Sequence, residues 1–285
     1  MSYNLSGLQA YTDEMSFDLI SKAVLQTNLM EYSTIRSGLK AGTTAINLLD
    51  ADISVADRAC GWDAAGSLVY TQVDIVMSEK QTKQALCPTD LRDYYLSERL
   101  SGSAHAEEVP FEEVVSQLFV EKIKNWNEGF LATELFTAVT VANGAADSGQ
   151  TVASTLATIV DDVQDLFDAI DPAVLDRDDL VVMMSPANYN LLRRALVAQN
   201  LYHYLPSDNN AEMTIPGTNL KAIKGTFTGA GMIAGPSKDI VIGVGLEDDF
   251  DTLKIFYSQD NDEVRVMSAW RLGLAVVDVT KFAKN

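Results

Sequence analysis

Hydrophobic residues recur every three or four positions along Glu107–Glu128 more regularly than elsewhere in the chain. Pro110 suits a first helical turn, where its missing N–H costs nothing. The glutamates at the start of the stretch favour the positive end of a helix dipole. The pattern therefore predicts a long helix that ends at Gly129. The side of this helix predicted to face the core consists of Phe111, Val115, Leu118, Ile123 and Trp126.

Apolar and polar residues alternate along Leu68–Ser78, which is typical of a half-buried strand. With the turn-rich residues before it, the stretch Ile53–Cys87 is predicted to form a long two-stranded hairpin. Such a ribbon is marginally stable alone, so we expect it to lie on another surface, which could belong to another subunit. We also expect that Gly61–Leu86 can be replaced by a linker without loss of the fold. The predicted inter-subunit contacts are Trp62, Tyr70, Val73, Ile75 and Met77.

The second half of the chain combines helical and strand patterns. A helix is predicted over Thr151–Ile170, and the continuous apolar run Leu180–Met184 indicates a strand buried on both faces. Ser185 is a predicted N-cap for a helix that begins at Pro186. Short strands, including Ile240–Val244, follow to the end of the sequence. The fold class is therefore α+β.

The formal net charge of −19 excludes a protein that grips nucleic acid, because affinity for phosphates requires clustered Lys and Arg. We interpret the acidity as a source of solubility, although an acidic wall also suits a protein that surrounds DNA without binding it. No apolar run approaches the ~18 residues of a membrane helix, so no membrane partner is predicted. Two cysteines do not make a disulfide framework, which indicates a reduced, intracellular origin.

No catalytic residue, cofactor or metal is predicted. A zinc site would need Cys60, Cys87, His105 and His203 to converge, since these are the cysteines and histidines of the chain. The acidic cluster around Asp248 lacks the glycine and terminal glutamate of a calcium loop, so we interpret it as a solvated surface. Ser185 is a helix cap rather than a nucleophile, because no G-x-S-x-G sequence surrounds it.

Three stretches resemble the HK97-like fold of tailed-phage major capsid proteins: DDLVVMMSPANYNLLRRAL (Asp178–Leu196), Ile215–Tyr257, and VRVMSAWRLGLAVVD (Val264–Asp278). The order of arm, β excursion, long helix, α/β module and closing strands is similar to that family as well. The resemblance implies an N-terminal arm at 1–52 and an E-loop with a following short helix at 53–106. It also implies a P-domain, containing the spine helix and closing strands, at 107–145 and 246–285, and an A-domain at 146–245.

The resemblance implies a non-enzymatic major capsid (coat) protein, which assembles as hexamers and pentamers into an icosahedral head around double-stranded DNA. The implied partners are other copies of the chain, with scaffold, portal and decoration proteins, and DNA enclosed without sequence-specific binding. The implied location is the virion capsid, after synthesis in the host cytoplasm.

Two alternatives stay open. The first is an encapsulin-like nanocompartment shell, which resembles the same fold and would enclose protein cargo instead of DNA. The second, of a different class, is a cation-dependent hydrolase that uses the Asp248 region. It requires a pocket uniting those carboxylates with a nucleophile or base, and the sequence offers no candidate.

Overall fold

A computed structural model describes residues 27–40, 42–53, 66–87, 111–149, 153–199, 213–215, 217–225, 231–245, 254–258, 260–261 and 263–285. Four α-helices lie within these ranges: α1 (Asn28–Tyr32), α2 (Phe111–Ala138), α3 (Ile159–Ala169) and α4 (Pro186–Ala198). The strands are β1 (Thr34–Ser37), β2 (Gly42–Ile53), β3 (Gly66–Leu86), β4 (Ala146–Asp147), β5 (Leu180–Met184), β6 (Met213–Thr214), β7 (Lys221–Lys224), β8 (Met232–Pro236), β9 (Ile240–Val244), β10 (Lys254–Ser258), β11 (Glu263–Val276) and β12 (Ala283–Lys284). The chain is therefore a mixture of helix and sheet, as its sequence predicts.

The first sheet is built around β11, in the order β1-β9-β11-β3-β2, and β10 also pairs with β11. The first part of β11 lies between β10 and β3, and its last part pairs with β9. Alternate residues of β11, from Val264 to Trp270, are buried beneath α2. This sheet and α2 enclose one of the two main hydrophobic cores of the described residues.

The second sheet has the order β4-β12-β8-β5-β7-β6. Helices α3 and α4 cover one face, where they meet Val182 and Met184 of β5, and Val181 and Met183 face the core shared with α2. The prediction of a strand buried on both faces is confirmed. The predicted cap is confirmed too, since Ser185 Oγ accepts a hydrogen bond from the Asn188 N–H at 3.3 Å.

Helix α2 continues past Gly129, so its predicted end there is wrong. Leu131 and Leu135 lie beyond that glycine and are fully buried. Their burial offsets the ~1 kcal/mol that a glycine costs inside a helix. Phe111 and Val115 belong to α2, but their side chains lie outside the described part of the chain.

The side of α2 that faces the core is rotated from the predicted one. Ile123 is buried as predicted, but Leu118 is 54% exposed and Trp126 is 48% exposed in the single subunit. The prediction of these two residues as core is therefore wrong. The buried side of α2 instead includes three polar residues, Ser116, Asn127 and Glu128, and a hydrophobic pattern cannot recognise such a side.

A long hairpin is present, but it begins before the predicted segment Ile53–Cys87. Strands β2 and β3 pair antiparallel along the whole of β2, from Gly42 opposite Met77 to Ile53 opposite Gly66, so only the second strand lies where it was predicted. Strand β3 then continues from Ser78 to Leu86 along β11. The predicted division at 52/53 therefore falls inside β2. The predicted boundary between the A-domain and the P-domain at 245/246 separates β9 from β11, although these two strands pair in one sheet.

Candidate subunit interface

The base of the hairpin crosses the first sheet at a pair of glycines. Gly243 of β9 and Gly273 of β11 lie directly opposite each other. A Cβ atom at Gly273 would stand 2.5 Å from the carbonyl oxygen of Val76, and one at Gly243 would stand 2.6 Å from Met77 Sδ. Side-chain carbons do not approach other atoms so closely. These glycines therefore mark a close approach of another strand, and the pair is called the glycine seat below.

The glycine seat determines which of the predicted hairpin residues are buried within their own chain. Ile75 and Met77 are buried in a small cluster with residues of the same chain, so their predicted role between subunits is wrong. Their own sheet supplies the covering surface that the ribbon needs. Val73 is partly buried against the same cluster, whose other members are Ile46, Val241 and Ala275. The premise that Gly61–Leu86 is separable from the fold is also wrong, because part of this segment is a central strand.

Only the distal part of the hairpin leaves the body of the subunit. Beyond Ile46 the paired strands continue to Ile53 and Gly66, which at ~3.4 Å per residue is a reach of about 24 Å. Tyr70 on this part is 75% exposed, so its predicted inter-subunit contact stays a prediction. Trp62 lies outside the described residues.

A groove of about 500 Å³ separates the first half of α2 from β3, with Trp270 of β11 among the residues that line it. Leu118 and Trp126, the two helix residues predicted to be core, line this groove. Their position explains why the sequence marks them as apolar although the single subunit leaves them half exposed. A partly exposed apolar groove of this kind is a candidate contact surface.

An aromatic cluster closes the groove towards the middle of α2. The ring of Trp126 stacks on Phe130 at 5.4 Å between centroids and meets Trp270 edge-on at 6.0 Å. Lys80 Nζ lies 4.3 Å from the centre of the Phe130 ring and 5.8 Å from that of Trp126. The ring faces attract the ammonium group, so the cluster ties β3 to α2. The local sequence pattern does not mark Lys80, Phe130 and Trp270 as a group, because Lys80 lies beside Trp270 only through the pairing of β3 with β11.

A hydrogen bond beneath this cluster fixes the rotation of α2. The indole N–H of Trp270 donates to Asn127 Oδ1 at 2.8 Å, and both residues are buried. Glu128, the next residue, accepts from the Asn28 side-chain amide at 3.0 Å. These polar contacts account for the side of α2 that faces the sheet, and hence for the exposure of Leu118.

Ion pairs join the two sheets where the chain passes between them. Arg177 holds Asp179 at 2.7 Å and reaches Asp239 at 3.5 Å. Lys281 approaches Asp278 at 3.2 Å and Asp239 at 3.8 Å. The hydrogen bond from Arg177 lowers the pKa of the Asp179 carboxyl below its ordinary value. The group connects the segments that precede β5, follow β8 and follow β11.

In the part of the chain that the structure describes, no three His, Cys, Asp or Glu side chains could together hold a metal ion. Cys60, His105, His203 and the residues around Asp248 fall outside that part. Among the described helices, none has the length and apolar character needed to cross a bilayer.

No family model matches the sequence, and no curated protein is similar to it. Solved structures do match. One match is a chain from the structure of the satellite phage P4 procapsid, a particle that includes the size determination protein. That chain is 13% identical to this one, with a TM-score of 0.59 over 94% of this chain and 89% of that chain. This chain has the fold of a phage capsid protein.

The same capsid fold links the chain to other particles. A chain of Gordonia phage Cozz is 12% identical, with a TM-score of 0.59 over 91% of this chain and 85% of that one. A virus-like particle from Pyrococcus furiosus is 11% identical, with a TM-score of 0.57 over 98% of this chain and 97% of that one. At these identities the likeness lies in the arrangement of elements.

Proposed function

We propose that this chain is a major capsid protein of HK97-like fold, whose hexamers and pentamers form an icosahedral head around double-stranded DNA. The observation that carries the proposal is the capsid fold, which extends over 94% of the chain in the match to the P4 procapsid. In this proposal α2 is the spine helix and the distal part of the hairpin is the E-loop.

Two surfaces of the subunit support an assembled state. The distal hairpin, which carries the exposed Tyr70, is a two-stranded ribbon of a kind that is marginal unless something packs against it. The groove along α2 leaves Leu118 and Trp126 half exposed. A shell offers neighbouring subunits to cover both surfaces, whereas a monomer leaves them in water.

The charge of the chain suits enclosure of DNA rather than binding to it. With a formal net charge of −19, the subunit as a whole repels phosphates. Packaged DNA would then be confined by the shell without sequence-specific contacts. Scaffold, portal and decoration proteins are further partners that we propose for such a head, and the virion capsid is the proposed location.

The distal hairpin provides the test. Replacing Asn47–Gln72 with a two-residue Asn-Gly turn keeps Ile46 opposite Val73 and leaves the glycine seat covered. We expect this variant to fold, by circular dichroism, and to form no closed shells in negative-stain electron microscopy. The matched control is Gln72→Ser, a change of one exposed polar residue for another, which should assemble like the parent.

Two outcomes would contradict the proposal at different levels. Normal shells from the shortened chain would show that the hairpin is not the clamp between subunits. A parent chain that sediments as a compact monomer under all conditions tested, and never yields particles, would remove the shell function itself.

A nanocompartment shell of the encapsulin type is the second candidate. The specific observation in its favour is the virus-like particle from Pyrococcus furiosus, which matches over 98% of this chain and 97% of its own. Particles isolated from the native source distinguish the two functions. Nuclease-resistant double-stranded DNA inside them indicates a phage head, and a co-purifying protein without DNA indicates a nanocompartment.

A further inference from the structure

The groove between α2 and β3 has an apolar lining that the described residues leave open to water. Leu118 and Trp126 of α2 are the exposed apolar residues of this lining. Their separation along the helix is about 12 Å, slightly more than two turns. A volume of about 500 Å³ falls in the range of ligand pockets. The groove therefore has room for the apolar side chains of one short segment.

The charged residues of the groove favour an acidic occupant. Lys80 lines it from β3 and Lys122 from α2, and Glu79 also lines it. Arg271 Nε lies 3.0 Å from Glu79 Oε1 and offsets the charge of that carboxylate. Lys122 is exposed, and no ion pair joins it to another residue that the structure describes. The groove is therefore a locally basic site in a chain whose formal net charge is −19.

The N-terminal segment of the chain matches this surface in its sequence. Residues 1–26 lie outside the described part of the chain, and three acidic residues accompany a single lysine among them. The spacing of their apolar residues by three and four positions predicts a helix. Its apolar side consists of Leu8, Tyr11, Met15 and Leu19. Glu14 and Asp18 each follow one of these residues by three positions, so the two acids border the apolar side.

The structure fixes the point where this segment joins the body of the subunit. The side-chain amide of Asn28 donates to Glu128 Oε1 at 3.0 Å, so the start of α1 lies against α2 close to Trp126. Thr27 has an extended backbone, so a helix formed by earlier residues does not continue into α1. Residues 20–26 span up to about 23 Å when extended, and half the circumference of a helix is about 17 Å. The segment can therefore pass around α2 to the groove of its own subunit.

We infer that residues 8–19 dock as a helix in the groove between α2 and β3 of their own subunit. The apolar side of the segment covers Leu118 and Trp126, and its two bordering acids lie near Lys122. A tether as short as residues 20–26 gives an effective concentration on the order of 1 mM, so in dilute solution the subunit's own segment outcompetes that of another copy. The inference goes beyond the shell function, because it concerns one unassembled subunit. In a shell, a neighbour would pack on the groove with the segment already in place.

Quenching of tryptophan fluorescence by acrylamide tests the inference, at a protein concentration where sedimentation shows monomers. In a Trp62→Phe background the remaining tryptophans are Trp126, in the groove, and Trp270, which is 6% exposed. We expect the quenching of buried indoles, because the docked segment covers Trp126. Met15→Ser should raise the quenching constant about twofold or more, because the segment then spends more time undocked. The matched control is Phe17→Ser, since residue 17 lies on the opposite side of the predicted helix and should change nothing.

Reversal of one groove charge tests the choice of occupant. Lys122→Glu places a like charge beside the acids of the segment, so we expect stronger quenching of Trp126 than in the parent. The matched control is Lys124→Glu, a reversal on the same helix at a residue outside the groove lining. Melting temperatures close to that of the parent would show that the variants leave the fold intact. Met15→Ala replaces Met15→Ser if the latter fails to fold.

Four results would overturn the inference. Quenching of Trp126 as an exposed indole in the parent would show that the groove is open. Equal shielding in the parent and in Met15→Ser would show that another part of the subunit covers it, such as residues 88–110 between β3 and α2. If Phe17→Ser exposes Trp126 as much as Met15→Ser does, the predicted apolar side is not the side that docks. If Lys122→Glu is shielded like the parent, charge does not select the occupant.

The assembled state separates this inference from the proposed function. Shielding of Trp126 that appears only in shells would assign the groove to a neighbouring subunit, which overturns the inference and leaves the shell function standing. If the parent never assembles, the proposed function fails, and the shielding measured in the monomer still decides whether the segment docks.

Discussion

A methyl group added at Gly273 is the most direct probe of the glycine seat. The new Cβ atom would stand 2.5 Å from the Val76 carbonyl oxygen, whereas ordinary carbon–oxygen contacts are about 3.3 Å or longer. The backbone of β3 must then move by about 0.8 Å. Gly273 is not among the described glycines with positive φ, so alanine fits the local backbone and only the contact opposes it.

The cost of Gly273→Ala follows from two opposing effects. Overpacking a dense site costs about 1–3 kcal/mol, and the reduced freedom of alanine in the unfolded chain returns about 0.4–1 kcal/mol. We therefore expect Gly273→Ala to lower the free energy of unfolding by about 1–2 kcal/mol. Urea unfolding of the unassembled protein measures this change, and hydrogen exchange of the β3 amides should show faster opening near Val76.

The neighbouring Gly243 supplies a matched comparison. Its added Cβ would meet Met77 Sδ at 2.6 Å, and a thioether moves more easily than a backbone carbonyl. In a double-mutant cycle, Met77→Ala should relieve Gly243→Ala more than it relieves Gly273→Ala. If Gly273→Ala matches the parent in stability and in β3 exchange, the close approach of the two strands is refuted.

Two further predictions concern polar contacts. Asn127→Ala leaves the indole N–H of Trp270 buried without its acceptor, so we expect urea unfolding to show a loss of about 1–3 kcal/mol, and unchanged stability would contradict that role. The hydrogen bond from Arg177 lowers the folded-state pKa of Asp179, so its contribution to stability is present above the ordinary carboxyl pKa of 3.8 and is lost as the pH falls through the lower folded value. Asp179→Asn should therefore lower the melting temperature near pH 7 and reduce the dependence of the melting temperature on pH below about 4. If the melting temperatures of the parent and the variant fall equally steeply in acid, the Arg177–Asp179 pair does not stabilise the fold.

The sequence predicted those elements whose burial follows a simple period. Leu180–Met184 and Ile240–Val244 were predicted with the bounds that the structure has, because buried strands are short and continuously apolar. The long helix was predicted correctly as a helix, but the side predicted to face the core is not the side that does. Its core face contains Asn127, which is buried through a bond to a residue more than a hundred positions away in the sequence. A local pattern does not carry that information.

The candidate interface was predicted less well for the same reason. The alternation at Ile75 and Met77 correctly indicated one apolar side, but it could not indicate which surface covers that side. The answer depends on Gly243 and Gly273 being opposite each other, which is a property of register between distant strands. Loose glycine spacing in the sequence gave no sign of a seat.

The central position of β11 has a consequence for folding during synthesis on the ribosome. The partner of Leu86 on β3 is Val264, so about 180 residues must leave the ribosome between the two, which takes roughly 10–35 s at typical elongation rates. Throughout that interval the edge of β3 that β11 later occupies has no native partner. Such an unpaired edge is a template for aggregation. The nascent chain therefore depends on a holding chaperone or on rapid synthesis of β11 to avoid aggregation.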